Sequence, residues 1–331
     1  MKTGRRVGSA LLTTLKRSGL LGLLAGAVLC LSAEAQPCPR DRAMWIYQRP
    51  YDVVRDPAER DAVLPFSEGH GIKEFFLYVS FRCSPSGDTC SLEESDERDL
   101  RLLLRAAHEN GIGVQALYDD ARLALTANHN RARAIVQAVL RFNNGGEAEE
   151  RFDGIHLDVE PHVLDEYRAD KIGTIRQFLD MNAAVVEELV GRNLQYGVDA
   201  VEFWYPYWDE RGRFVDRPEL LMDYGDSTNY PTMHLMNLVK AVTIMSYHRN
   251  PDITIRKTRY AMEYAARPEV GAAVSIGVQT SPDRPPAETF GGGTKGEMEE
   301  ALCVIDGALA GFESFLGFSY FKYSSYRDMP E

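Results

Sequence analysis

Two hydrophobic rhythms take turns along this chain. Short runs with every second residue apolar are separated by longer segments whose apolar residues recur at three- and four-residue spacing. Segments 44–47, 74–79, 114–118, 152–160, 194–201, 242–247, 273–279 and 315–321 read as strands. Segments 57–69, 95–110, 128–142, 165–190 and 252–266, and one more ending near 309, read as helices. The second of these is the clearest. Ser95 stands as its N-cap, Leu100, Leu103, Leu104 and Ala107 line one face, and Gly111 stops it. Eight strands with helices between them predict the α/β class and a single (β/α)8 TIM barrel. Residues 202–231 break the rhythm. This stretch is rich in Tyr, Trp and Asp and is expected to cap one face of the barrel.

Residues 1–35 read as a leader rather than as fold. Arg5, Arg6, Lys16 and Arg17 precede an apolar run from Leu20 to Leu31, and Ala33-Glu34-Ala35 offers a small-x-small cleavage site. The run is short for a membrane span. The expectation is an exported protein, periplasmic or secreted, whose mature barrel spans 36–331. A twin-arginine route through Arg5-Arg6 has poor flanking residues, and lipidation at Cys30 is disfavoured by bulky Leu29.

Cleavage removes five basic residues and one acid, so the formal net charge moves from −12 to −16. That balance argues against nucleic acid and anionic membranes as partners and suits neutral or cationic substrates. Cys38, Cys83, Cys90 and Cys303 remain, and an even count in an exported chain points to disulfides. Cys83 and Cys90 flank a turn-rich loop, so a local bridge between them is expected, with Cys38 left for Cys303. There is no Cys-x-x-Cys pair to suggest zinc. Gly291-Gly292-Gly293 lacks the Gly-Lys-Ser/Thr of a phosphate loop and reads as a turn.

The densest chemistry lies in 152–161. Ile155, Leu157 and Val159 alternate with His156, Asp158 and Glu160, so one strand face is apolar and the other ionisable. Period two brings Asp158 and Glu160 to the same side, close enough to couple their proton affinities. Paired carboxylates at the C-terminal end of a barrel strand stand where such barrels keep their active sites. A Glu whose pKa is raised by a nearby carboxylate can hold a proton for a poor leaving group near neutral pH.

The run Asp153-Gly154-x-x-x-Asp158-x-Glu160 resembles the signature of family 18 glycoside hydrolases, the chitinase-like enzymes. Their usual pattern is Asp-Gly-x-Asp-x-Asp-x-Glu on the fourth barrel strand, and His156 departs from it. Met245-Ser246-Tyr247-His248 resembles the family's Met-x-Tyr-Asp/Asn element, with His248 as a second departure. Ile276-Gly277-Val278 is a weaker echo, and Tyr320-Phe321 stand where the family usually has a Trp.

The resemblance implies a glycosidase of β-linked N-acetylhexosamine glycans. In such enzymes the substrate's own acetamido oxygen attacks the anomeric carbon and configuration is retained. It implies Glu160 as general acid and base, Asp158 as the group orienting the acetamido, and Tyr247 as a hydroxyl donor to it. Asp153, His156 and His248 are expected to support these three. A neutral His156 could hydrogen-bond Asp158, and a protonated one would lower its neighbours' pKa values.

Trp45, Tyr118, Trp204, Tyr207, Gln279 and Tyr320 are expected to bind substrate, the aromatic members by stacking on sugar faces. No cofactor or metal is expected, because His156, Asp158, Glu160 and His248 carry no metal spacing signature of their own. A monomer with a glycan substrate is expected. Two other readings stay open. The two histidines could mark a barrel that binds glycan without cleaving it. Asp119, Asp120, Asp199 or Glu202 could serve Glu160 as the base of an inverting glycosidase on a non-acetylated glycan.

Overall fold

The computed structural model describes residues 40–331. The leader read over 1–35 and Cys38 lie outside the described residues. Eight parallel strands close into a barrel in the order β1-β8-β7-β6-β5-β4-β3-β2. They are β1 Asp41–Ile46, β2 Ile72–Tyr78, β3 Gly113–Asp119, β4 Gly154–Asp158, β5 Gln195–Val201, β6 Ala241–Met245, β7 Ala273–Gln279 and β8 Phe315–Phe321. The expected (β/α)8 barrel is therefore the fold.

The principal helices are α1 Pro57–Gly69, α2 Glu94–Glu109, α3 His129–Asn144, α4 Asp165–Ala169, α5 Lys171–Leu189, α6 Pro231–Leu238, α7 Pro251–Ala265, α8 Lys295–Leu309 and α9 Tyr323–Asp328. The helix expected over 165–190 is two helices. Asp170 leaves helical geometry and its carboxylate caps α5 by accepting from Gly173 N at 2.9 Å. Residues 202–231 carry two small hairpins, Tyr207–Trp208 with Phe214–Val215 and Met222–Tyr224 with Ser227–Asn229. They lead into α6, a helix not expected from the sequence. Pro231 starts it, and Met233, Leu235 and Met236 are buried along it.

Strand alternation sorts side chains into two shells. Ile155, Leu157 and Val159 join Val198, Ala200, Ile244 and Ile276 in the large apolar layer between strands and helices. Each fully buried large side chain there contributes about 1.5–3 kcal/mol. Inside the barrel a much smaller apolar group, Ala43, Trp45, Phe76 and Leu117, leaves room for polar chemistry.

Cys83 and Cys90 form the expected disulfide, joining Phe81–Cys83 to Cys90–Leu92 across a hairpin. Cys303 is also disulfide-bonded. No helix among the described residues is long and apolar enough to cross a membrane.

Candidate active site

β4 carries the ionisable face that its sequence predicts. His156 is buried within the barrel, Asp158 ends the strand, and Glu160 stands just beyond, at the C-terminal mouth. Pairing across strands then gathers further acids. Asp119 of β3 is in register with Asp158, and His156 is in register with Gly197 of β5. Two residues further along β5, Asp199 is buried beside the histidine.

His156 Nε2 lies 2.9 Å from Asp199 Oδ1, and Trp45 Nε1 donates to Asp199 Oδ2 at 3.3 Å. The Phe76 ring stacks on the imidazole at 3.8 Å between centroids. The expected partnership of His156 with Asp158 is thus replaced by one with Asp199. Burial lowers the His156 pKa to about 3, so the ring is neutral and serves as a hydrogen-bond donor, not as a charge.

Four carboxyl groups cannot all ionise in so small a volume. Burial raises Asp158 well above the usual carboxylate range, and the charges of Asp199, Glu160 and Asp119 raise it further. Burial also raises Asp199, against a hydrogen bond from Trp45 that pulls it down. The two acids share a hydrogen bond and titrate as a pair, both raised by burial. Burial lifts Glu160, and the Arg284 guanidinium pulls it back. Asp119 is pushed up to about 6 by burial, against a hydrogen bond from Tyr47 that lowers it. The Tyr247 hydroxyl stays protonated, raised first by burial and then by the charges of Asp199, Asp158 and Glu160. A Cβ on Gly277 would come within 3.0 Å of the Tyr247 ring, so the glycine makes space for that ring.

The remaining expected residues scatter. Asp153 is not at this mouth but at the opposite end of β4. There its Oδ2 accepts from Val114 N at 2.7 Å and lies 2.9 Å from His108 Nε2, tying β4 to β3 and α2. His248 turns to Glu202, with Nε2 to Oε1 2.8 Å, while Ser246 Oγ donates to the other oxygen at 2.5 Å. Trp45 is a buried wall of the interior, 1% exposed, rather than an open platform.

Trp204 is buried, packs against Phe178 and donates to the Tyr167 hydroxyl at 3.0 Å, so it is not an open platform. Tyr207 lies under the Lys257 ammonium at 3.4 Å in the first hairpin. Tyr118 points toward α3, where its hydroxyl accepts from Arg131 at 2.9 Å. Gln279 is buried, and its Oε1 accepts from Ser281 N at 2.8 Å. Tyr320 stacks on Tyr326 outside the barrel, and Phe321 is the one that meets Trp45, Tyr47 and Tyr247.

Three contributors to the site were not singled out in the sequence. Tyr47 and Phe76 share the inward parity of Trp45 and Glu74, a signal available in the alternation. Arg284 sits in the loop after β7 and had no local signal. Among the described residues no group of three or more His, Cys, Asp or Glu side chains could hold a metal ion.

No protein-family model matches the chain, and no curated protein does. Solved structures do. A GH18 chitinase from Pseudoalteromonas aurantia superposes with a TM-score of 0.51 at 13% identity, over 86% of this chain and 95% of that one. The ICChI chitinase from Ipomoea carnea gives 0.50 at 13% identity, over 87% and 96%. The barrel is the fold of these chitinases. At such identity the likeness speaks for the fold alone.

Proposed function

We propose that the protein is a glycoside hydrolase acting on β-linked N-acetylhexosamine glycans by substrate-assisted retention. The observation that carries this reading is the pairing of Asp158, at the end of β4, with Glu160 two residues beyond, its pKa raised by burial, at the C-terminal mouth of a barrel. Glu160 keeps part of its side chain open to solvent, as a group that must reach a glycosidic oxygen requires. Its raised pKa lets it deliver a proton, and once ionised it can take one from water in the second step.

Asp158, hydrogen-bonded to Asp199, can donate to or orient the acetamido group as that group attacks the anomeric carbon. Tyr247, whose hydroxyl stays protonated beside the charges of Asp199, Asp158 and Glu160, supplies a further donor. Asp199, His156 and Trp45 act through Asp158 and are positioning residues. The fold shared with GH18 chitinases supports the class of reaction, and the leader expected from the sequence, together with the Cys83–Cys90 disulfide, supports export.

The test is sugar release by the mature protein from matched N-acetylated and de-acetylated oligosaccharides. Release from the acetylated set alone supports the reading. Cleavage of both sets would favour an inverting or conventional retaining enzyme. Binding without release would make this a glycan-binding barrel.

A further inference from the structure

Below the acid cluster, at the N-terminal end of the barrel, lies a cavity of about 330 Å³. Its walls are early strand residues, with Asp41, Lys73, Gln195 and Leu316 exposed on its open side and His156 deep within. The proposed hydrolysis makes no use of it.

Its polar lining is unbalanced. Gln115 and His156 are 3% and 1% exposed, yet Gln115 Oε1 and His156 Nδ1 have no hydrogen-bond partner. Both atoms are acceptors. Gln115 Nε2 donates to Glu74 Oε1 at 2.6 Å, which leaves the amide oxygen free. His156 Nε2 faces the Asp199 carboxylate, which leaves the lone pair on Nδ1.

The two atoms converge on the missing side chain of Gly197. A Cβ there would lie 2.7 Å from Nδ1 and 3.1 Å from Oε1. Glu74 adds a carboxylate that has no ion-pair partner among the described residues, and burial pushes its pKa up. Of the cationic groups in the wall, Arg42 is taken by Glu299 at 2.7 Å, and Lys73 sits on the exposed side. Ser319, Ser275 and Thr243 hydroxyls form a chain along the opposite wall, at 3.0 and 2.8 Å. Buried acceptors left without donors are rare in folded proteins.

We propose that this cavity is a binding site for a protonated primary amine, its N–H groups donating to Glu74, Gln115 Oε1 and His156 Nδ1. An imidazole lone pair calls for a hydrogen-bond donor, whereas hard metal cations take oxygen ligands. A carboxylate beside it favours a charged donor over a neutral one. The volume leaves room for a small organic substituent, so ammonium and a small amine such as an aminosugar share the chemistry. The site shares His156 with the acid cluster but does not rest on the glycosidase reading.

The test is thermal unfolding and calorimetric titration of the mature protein with ammonium, methylammonium and glucosamine hydrochlorides. Potassium and tetramethylammonium chlorides at equal ionic strength are the controls. A saturable rise in Tm with the N–H cations and none with the controls is expected. Stronger binding of glucosamine than of ammonium would identify an organic amine as the occupant, and the reverse order the bare ion. Glu74→Gln should remove the saturable effect. Should that variant not fold, Gln115→Met must weaken binding at least several-fold. No saturable effect in the wild type, an equal effect of potassium, or an unchanged effect in a folded Glu74→Gln would each overturn the proposal.

Discussion

His156 Nε2 and Asp199 Oδ1 stand 2.9 Å apart across two strands of the barrel, both side chains closed off from solvent. The contact gives the acid cluster an inner anchor. A neutral imidazole and the Trp45 indole both donate to one carboxylate, which leaves that carboxylate able to accept the proton of Asp158. The histidine that departs from the family pattern is therefore tied into the cluster through a residue on the next strand.

Asp199→Asn should separate positioning from binding. Burial alone still raises Asp158, but the like charge of Asp199 that raises it further is gone, so its pKa falls. We expect kcat to drop roughly 10- to 100-fold with KM nearly unchanged, and the alkaline limb, on which Asp158 loses its proton, to move to lower pH. A pH–rate profile of the variant beside the wild type reads both effects. A parallel loss in KM, or an unmoved limb, would remove Asp199 from this role.

Arg284 tests the same limb through Glu160. Its guanidinium opposes the upward push of burial on Glu160. The general acid works while protonated, so activity fades as pH rises through its pKa. Arg284→Gln should raise that pKa and carry the alkaline limb to higher pH, which a kcat/KM profile would show. A shift to lower pH would contradict the assignment of Glu160 as the acid.

Why some of this was legible and some was not follows from the range of the signals. The side-by-side placement of His156, Asp158 and Glu160 is a property of one strand, and alternation alone fixes it. The His156–Asp199 contact depends on which residue of β5 lies beside which residue of β4, and nothing local in either segment states that register. The choice between Tyr320 and Phe321 turned on a single bulge. Val274 pairs with Phe315 and Ser275 with Gly317, so Leu316 is an extra residue that reverses the alternation of β8. Counting from Phe315 puts Tyr320 inside, whereas the bulge sends it out to Tyr326 and turns Phe321 inward. Trp204 and Tyr118 looked like sugar platforms because aromatic side chains at strand ends fit both a cleft and a core.

Asp153 belongs to stability rather than to chemistry. Burial pushes its carboxyl up, but His108 and the Val114 amide outweigh this and hold it below the usual range. His108 is raised, first by the same contact. A lowered acid contributes stability above its unfolded pKa and loses it as pH falls. A raised histidine contributes below its unfolded pKa and loses it as pH rises. The pair is thus strongest between about pH 4 and 6.5, the unfolded values of the two groups. Asp153 is partly exposed, so screening trims the effect. Asp153→Ala should cost about 1 kcal/mol, most within that window, with kcat nearly unchanged. Thermal unfolding of both proteins across pH checks the window, and a large loss of kcat would return Asp153 to the active site.

The measurement that bears most directly on the whole account is reducing-end release from N-acetylated oligosaccharides by the wild type and by Glu160→Gln, with glycan affinity measured in parallel. Release by the wild type is expected, with a fall of roughly 10²- to 10⁴-fold in the variant and affinity within a few-fold of the wild type. No release by a wild type that binds the glycan, or release that survives the loss of the Glu160 carboxyl, would contradict it.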